Sequence, residues 1–297
     1  MVKCIQFVMG PAGSGKSTYC ASIQRHAESY GRTIHVANLD PALGPSESPP
    51  YDPIFDVRDL ISTDDVAKEL GLGPNGSLIY AMEYVAEHIH TWFRDELLDG
   101  TGDDDYVLLD CPGQIELYTH VPVMKSVAES VIQWGGCNVC GVFVLDATFL
   151  ADVSKFISGT LLALSVMMNM EIPGINVLTK CDLVEGGAVD KMLDVYGRGA
   201  RDIWHMERGK FGGEIEIDNI SSSSKRGKQK IRDHKLDKMT EAICSIIDEY
   251  TMVAYIPLDI TDEESLDLVL SAVDQMLQYG DDVEFKEPPE AVDVDDK

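Results

Sequence analysis

One run in the chain ties residue type and spacing to a single chemistry. Gly10-Pro-Ala-Gly13-Ser14-Gly15-Lys16-Ser17-Thr18 fits G-x-x-x-x-G-K-[S/T]. Glycines there let successive backbone N–H groups turn inward around a phosphate chain. Lys16 can reach the β- and γ-phosphates, and the Ser17 hydroxyl can ligand Mg2+. The run follows the apolar stretch Ile5 to Met9 and precedes a helical pattern from Ser17 to Ala27, the strand–loop–helix setting that such a loop requires. Nucleotide binding is the expectation.

A phosphate loop serves GTPases, ATPases and small-molecule kinases alike, so two further motifs decide. Asp110-Cys-Pro-Gly113-Gln114 follows the apolar run Tyr106 to Leu109. A carboxylate at a strand's C-terminal edge can hold Mg2+ through water. Gly113 lets a backbone N–H approach the γ-phosphate, and Gln114 stands where a GTPase keeps the residue that orients the attacking water. An ordinary strand-end turn is the other reading of this run. Thr179-Lys180-Cys181-Asp182 follows another strand candidate, Ile175 to Leu178. An ionised Asp182 has only acceptors, which match the adjacent N1–H and N2–H2 donors of guanine; a site built on such bonds rejects a base without them by about 10⁴-fold. The stem of Lys180 would lie over the base plane, and a solvated turn is the competing account of this motif. Together the motifs favour binding of Mg2+·GTP and its hydrolysis to GDP. The rivals are a P-loop kinase of a small molecule, which needs an acceptor pocket, a general base and a basic lid, and a scaffold that holds nucleotide without hydrolysing it.

The elements that must position these residues are short apolar runs alternating with helical patterns. Ile5–Met9, 33–38, Tyr106–Leu109, Val139–Leu145, Ile175–Leu178 and 252–256 read as buried strands. Such alternation predicts an α/β P-loop NTPase fold with a mostly parallel sheet covered by helices on both faces. Helical periodicity is clearest at Leu78, Met82, Val85, Ile89, Trp92 and Phe93, with Ser77 as the candidate N-cap. A capping box at Thr261-Asp-Glu-Glu264 predicts a last helix through Leu266, Val269 and Val273. Leu161 to Met168 is the longest apolar helix candidate and is too short for a membrane span. Leu43 to Asp52, with four prolines between 41 and 50, reads as loop. One GTPase domain over 1–279 is expected, with an irregular insertion at about 197–235 and an acidic, disordered tail at 280–297.

The 297 residues carry 51 acids against 24 bases, a net charge of −27. So acidic a surface repels nucleic acid and anionic lipid, which excludes non-specific binding of either. Seven scattered cysteines and an N-terminal apolar run that leads into a glycine loop, with no cleavage site, point to a reduced intracellular compartment. Cys137-Asn-Val-Cys140 lacks a second pair and runs into a strand, so a structural role is expected of it. The seven histidines show no metal-site spacing. Lys225 to Lys238 holds seven bases against two acids and reads as a solvated insertion, with a targeting or partner patch as the alternative.

With Gly73-Pro74-Asn75 between the second strand and Asp110, the set becomes recognisable. GPAGSGKST at 10–18, NLDPA at 38–42, DCPGQIELYTH at 110–120 and TKCD at 179–182 together resemble the GPN-loop GTPases. FISG at 156–159, DEES at 262–265 and EFKEP at 284–288 look most like the third eukaryotic paralogue. The resemblance implies a homodimer, or a heterodimer with paralogous GPN-loop proteins, in which Asn75 of one subunit contacts the phosphate or lytic water of the other. It also implies that Asp40 acts near Mg2+ or the attacking water and that Glu116 helps order this region. Read without the resemblance, Gly-Pro-Asn-Gly is a tight turn before the helix at 78, Asp40 belongs to a strand-exit turn and Glu116 is a solvated helix-entry residue. The loop at Pro257-Leu258-Asp259 would wall the base. The implied output is assembly or nuclear import of RNA polymerase II, by a protein that is cytoplasmic and shuttles to the nucleus. Direct contact with nucleic acid or membrane is not expected.

Overall fold

The computed structural model describes residues 3–44, 47–99, 102, 105–151, 153–183, 238–249 and 254–279. Its centre is a six-stranded sheet whose strands are apolar on both faces, the pattern a parallel sheet needs when helices cover it twice. The strands are β1 (Lys3–Met9), β2 (Ile34–Asn38), β3 (Tyr106–Asp110), β4 (Cys137–Asp146), β5 (Gly174–Thr179) and β6 (Tyr255–Pro257), in the order β2-β3-β1-β4-β5-β6. All five pairings are parallel. The expected strands are therefore present, and the sheet is parallel throughout. The expected sixth strand ran over 252–256; β6 sits at its C-terminal end, and 252–253 lie outside the described residues.

Alternation along β1 divides the core. Ile5, Phe7 and Met9 face a layer that holds Met82, Phe93, Met124, Val127 and Val166, whereas Cys4 and Val8 face Tyr19, Ile23, Val269 and Val273. The first layer is built by α3 (Pro74–Glu87), α6 (Val123–Gln133) and α7 (Val153–Met170), the second by α1 (Lys16–Ser29) and the Glu263–Leu277 helix. Gln6 is the polar exception inside β1. Its amide donates to the Tyr106 hydroxyl (2.8 Å) and accepts from that of Tyr19 (3.2 Å), so the buried amide is satisfied.

Three local expectations change. Ser77 does not cap a helix. The helix begins at Pro74 with Gly73 as N-cap, and Ser77 lies buried one turn inside, its hydroxyl reaching the Leu72 carbonyl (3.4 Å). Proline is tolerated at the first helical position because its missing N–H would be unbonded anyway. The last helix is capped by Asp262, whose side chain accepts from the Glu264 N–H, not by Thr261. The apolar stretch at 161–168 is part of the 18-residue α7, yet among the described residues no helix is long and apolar enough to cross a membrane. Leu43 to Asp52 is loop where described, as expected. The expected insertion at 197–235, all but Lys238 of the basic run 225–238, and the acidic tail fall outside the described residues.

Parallel order also fixes where chemistry can happen. Every strand points its carboxyl end to one edge, and β1 sits where the chain's progress across the sheet reverses, with β3 on one side and β4 on the other. Val8 of β1 is in register with Asp110 of β3, and Asp146 of β4 is in register with Thr179 of β5.

Candidate functional site

The loop after β1 takes backbone conformations that only glycine adopts without strain. Gly13 and Gly15 have φ of 75° and 93°, and a Cβ on Gly10 would stand 2.3 Å from the Val144 carbonyl oxygen. Gly15 is the N-cap of α1 and supplies no capping side chain, and the first turn carries no acid. The helix's leading N–H groups and its positive end therefore remain available to an anion. Lys16 is buried and donates to the Pro11 carbonyl (3.2 Å), folded back over its own loop. Ser14 is buried with a hydroxyl that has no partner among the described residues. Thr18 lies exposed in the first turn of α1.

Beside this loop stand two carboxylates. Asp110 ends β3 and is only 2% exposed. Burial pushes its pKa above the ordinary carboxylate range and the charge of Asp40 adds to this, while Ser17, Tyr51 and Lys16 pull it back. The Tyr51 hydroxyl donates to Asp110 Oδ2 (2.7 Å), whereas Oδ1 is buried without a partner. Asp40 accepts the Ala42 N–H (3.0 Å); burial raises its pKa too, opposed by the Ala42 and Gly113 N–H groups and by Lys16. A Cβ on Gly113 would lie 2.9 Å from the Ala12 Cα, so this residue is pressed against the phosphate loop. The Gln114 side-chain amide oxygen is likewise buried and unpartnered among the described residues. Tyr118 fixes the intervening turn through the Pro112 carbonyl (2.5 Å). Of the five buried side-chain atoms without a partner among the described residues, three, Ser14 Oγ, Asp110 Oδ1 and Gln114 Oε1, belong to the phosphate loop and to the 110–114 turn that packs on it. A native interior rarely tolerates such groups unless a ligand, ion or water completes them. Two carboxylates raised by burial, one with an orphaned oxygen and with Ser17 close by, are a donor set that fits a hard divalent cation.

The third motif is tied to the cradle through the sheet. The Thr179 hydroxyl reaches the Ser14 carbonyl (2.5 Å) and lies 3.2 Å from that of Leu145, so threonine at this position braces the phosphate loop. Lys180 adopts a left-handed conformation (φ 60°) and its ammonium pairs with Asp146 Oδ2 (2.6 Å). Although burial works against it, that bond holds the Asp146 carboxyl below its usual range. Asp182 follows, exposed, in the single turn Cys181–Leu183. The Cys181 N–H bonds the Leu258 carbonyl (3.4 Å) and the Leu258 N–H bonds the Leu178 carbonyl (2.7 Å), which sets the 257–259 loop next to this motif.

The fold therefore brings together Gly13 to Ser17, Asp40, Asp110, Gly113, Gln114 and Thr179, with Lys180 and Asp182 at the same strand edge. Glu116 opens the short helix α5 (Glu116–Thr119) with its side chain exposed. Asn75 stands elsewhere. It is the second residue of α3, at the tip of a hairpin with α2 (Thr63–Leu70), and residues 68–75 are all exposed. No hydrogen bond or ion pair among the described residues joins 71–76 to the phosphate loop. Sequence reasoning missed two residues, Tyr51 and Asp146. The latter was detectable as the acid that ends a buried strand at the carboxyl edge. Cys137 and Cys140 lie three apart on one strand, which turns them to opposite faces. Among the described residues no group of His, Cys, Asp or Glu forms a metal cluster of three.

A cavity of about 490 Å3 is lined by Glu47, Asp56, Arg58, Asp59, Asp64 and Lys68 among others, without any residue of the phosphate loop. Its excess of acids disfavours a polyphosphate. The cradle after β1 is the better site because N–H groups, Lys16 and a helix N-terminus converge there.

A parallel sheet with a glycine cradle at the carboxyl end of its central strand, a buried aspartate on the neighbouring strand and a Thr-Lys-x-Asp turn two strands away defines a P-loop nucleotide-binding α/β protein. A family model described as a conserved hypothetical ATP binding protein matches residues 8–279. GPN-loop GTPase 3 of Danio rerio is 44% identical over 98% of this chain and 93% of its own length, that of Xenopus tropicalis is 45% identical with the same coverage, and that of Saccharomyces cerevisiae is 38% identical over 97% of each. The chain belongs to the GPN-loop GTPase family. A GTPase from Pyrococcus abyssi, solved in apo form, shares the fold with a TM-score of 0.64 at 20% identity, covering 92% of this chain and 97% of that one.

Proposed function

We propose that the chain binds Mg2+·GTP, hydrolyses it, and works as a nucleotide-dependent switch whose site is completed by a second GPN-loop subunit. The observation that carries this reading is the glycine loop with its free helix N-terminus and buried Lys16, with the 110–114 turn pressed on it through Gly113 and Asp110 Oδ1 left without a partner, and with a guanine-type acceptor, Asp182, at the same edge. Ser17, Asp110 and Asp40 would hold the cation, which would supply positive charge to neutralise what develops on the phosphates during transfer. Lys16 leaves the Pro11 carbonyl to meet the same phosphates. Gly113 offers its N–H to the γ-phosphate, Gln114 orients the attacking water, and Glu116 and Thr18 flank these groups. Lys180, held by Asp146, lies across the base whose donors meet Asp182. That acceptor pair is why the base is guanine, although the matching family model is described by ATP.

The second subunit is proposed because Asn75 is exposed, makes no hydrogen bond to its own phosphate loop among the described residues, and has exposed apolar neighbours in the chain: Leu70, Leu72 and Tyr80 are 50%, 39% and 42% exposed. By the family resemblance, the partner is another copy or a paralogous GPN-loop protein. The output would be assembly and nuclear import of RNA polymerase II subunits, from a cytoplasmic pool that shuttles. The reading is tested by turnover of GTP against ATP with molecular mass recorded in the apo, GDP and GTP-analogue states. GTP turnover by a dimer is expected. Equal use of ATP, or a monomer that hydrolyses at the same specific rate at every dilution, would overturn it.

Gly113→Ala probes the cradle without removing a functional group. The added methyl meets backbone atoms of Ala12, which cannot rotate away, so the 110–114 turn must retreat from the γ-phosphate. A displacement of this kind costs on the order of 10²-fold in single-turnover hydrolysis. GDP affinity, which does not use the γ-phosphate, should change little; unaltered hydrolysis would separate this glycine from the chemistry.

A further inference from the structure

Tyr51 sits in the proline-rich 43–52 loop and, among the described residues of that loop, is the one buried in the core. It packs with Tyr19, Cys20 and Leu108 on the α1 side of the sheet and is 8% exposed. Burying a phenol is favourable only if its hydroxyl finds a partner, and here the partner is a buried carboxylate 59 positions away in sequence. An ionised aspartate has no proton to give, so Tyr51 must donate and Asp110 Oδ2 must accept. That bond uses one carboxylate oxygen and leaves Oδ1, the buried unpartnered one, for another donor or a cation.

The chain beyond Tyr51 is anchored from several directions. The Ile54 N–H bonds the Val36 carbonyl (2.8 Å), and the Asn38 N–H bonds the Phe55 carbonyl (3.1 Å), so 54–56 runs along the open edge of β2. Phe55 lies edge-on to Trp92 and Phe93, with centroids 5.7 and 5.5 Å away. Asp56 accepts the Asn38 amide (3.0 Å) and the Arg58 guanidinium, which also reaches back to the Gly44 and Glu47 carbonyls (3.2 and 2.8 Å). Tyr51 therefore stands between a fixed segment and the site, and its phenol can turn Asp110 only as far as that anchoring allows.

We propose that Tyr51 is the positioning residue for Asp110: it locks one carboxylate oxygen, presents the other to the divalent cation, and couples cation binding to the 47–55 segment. The inference rests on the Mg2+·GTP reading. By reciprocity, a cation that needs Asp110 in this orientation must in turn stabilise the loop that sets it. Removal of a partner that orients a metal ligand typically costs 10–100-fold in metal affinity, and Tyr51→Phe removes only the hydroxyl while keeping the ring that fills the core.

The experiment measures release of fluorescent GDP from the full chain as a function of Mg2+ concentration. Mg2+ should slow release from the wild type. In Tyr51→Phe the Mg2+ midpoint should rise about 10-fold while release without Mg2+ stays within about two-fold of wild type. An unchanged midpoint, or equal acceleration with and without Mg2+, overturns the proposal and assigns Tyr51 to packing alone. A wild type indifferent to Mg2+ is a different result, which removes the cation from the functional reading itself. If the variant does not fold, amide hydrogen exchange over 47–54 in wild type decides: protection gained with Mg2+·GDP but not with GDP alone supports the coupling, and equal protection in both overturns it.

Discussion

Asp182→Asn is expected to exchange the base that this protein prefers. The residue is exposed, in a one-turn helix directly after Lys180, so the substitution disturbs no packing and thermal stability should hold. An amide in its place sets an N–H2 donor group against guanine's own donors, and GTP binding weakens. Xanthine carries an acceptor at position 2, which that same amide can meet. The preference for GTP over XTP should fall by up to about 10⁴-fold, the range in which a site built on hydrogen bonds to its substrate rejects an analogue that leaves those groups unpaired. Competition of GTP, XTP and ATP for the same labelled nucleotide measures it. Guanine preference that survives the substitution would remove Asp182 from base recognition and leave the 257–259 loop as the reader. The geometry favours Asp182 because its neighbour is already held in place. Lys180 takes a left-handed backbone conformation and its ammonium is clamped to Asp146 at 2.6 Å.

That clamp also shows what sequence could and could not reveal. The phosphate loop, Asp110 and the Thr-Lys-x-Asp turn were legible because each follows a short apolar run, and a parallel sheet sends the end of every such run to one edge. Local pattern and global topology there say the same thing. The Asp146–Lys180 pair was within reach by the same logic, since Asp146 ends the run from Val139 to Leu145. Tyr51 was not. It lies in a loop of prolines with no periodicity, and its partner is fixed only by the folding of β3 beside β2. The Gly-Pro-Asn segment was misplaced for a local reason. Glycine and proline read as breakers, which points to Ser77 as the helix start, whereas proline occupies the first helical position and the serine hydroxyl turns inward to the Leu72 carbonyl. The difference has a functional meaning: Asn75 is presented from the first turn of a 14-residue helix and not from a pliable turn.

A rigid mount matters if Asn75 is to act on another subunit's nucleotide, and Asn75→Ala should show it. An amide donor aimed at oxygens where charge develops stabilises the transition state more than the bound ground state, so its loss lowers kcat on the order of 10²- to 10³-fold. GDP lacks the γ-phosphoryl group and should bind nearly as before, and a surface substitution of this kind should leave thermal stability within about 0.5 kcal/mol. An equal fall in GDP affinity and turnover would assign Asn75 to folding of the α2–α3 hairpin. The trans arrangement has a sharper test. Subunits carrying Asn75→Ala keep a sound cradle, while subunits carrying Lys16→Ala keep a sound helix tip; each alone should be nearly inactive. Mixed, they form dimers in which the intact Lys16 of one meets the intact Asn75 of the other, and turnover should return to a substantial fraction of the wild-type rate. If mixing restores nothing although mixed dimers form, Asn75 serves its own cradle or none, and the exposed Leu70, Leu72 and Tyr80 face some other partner.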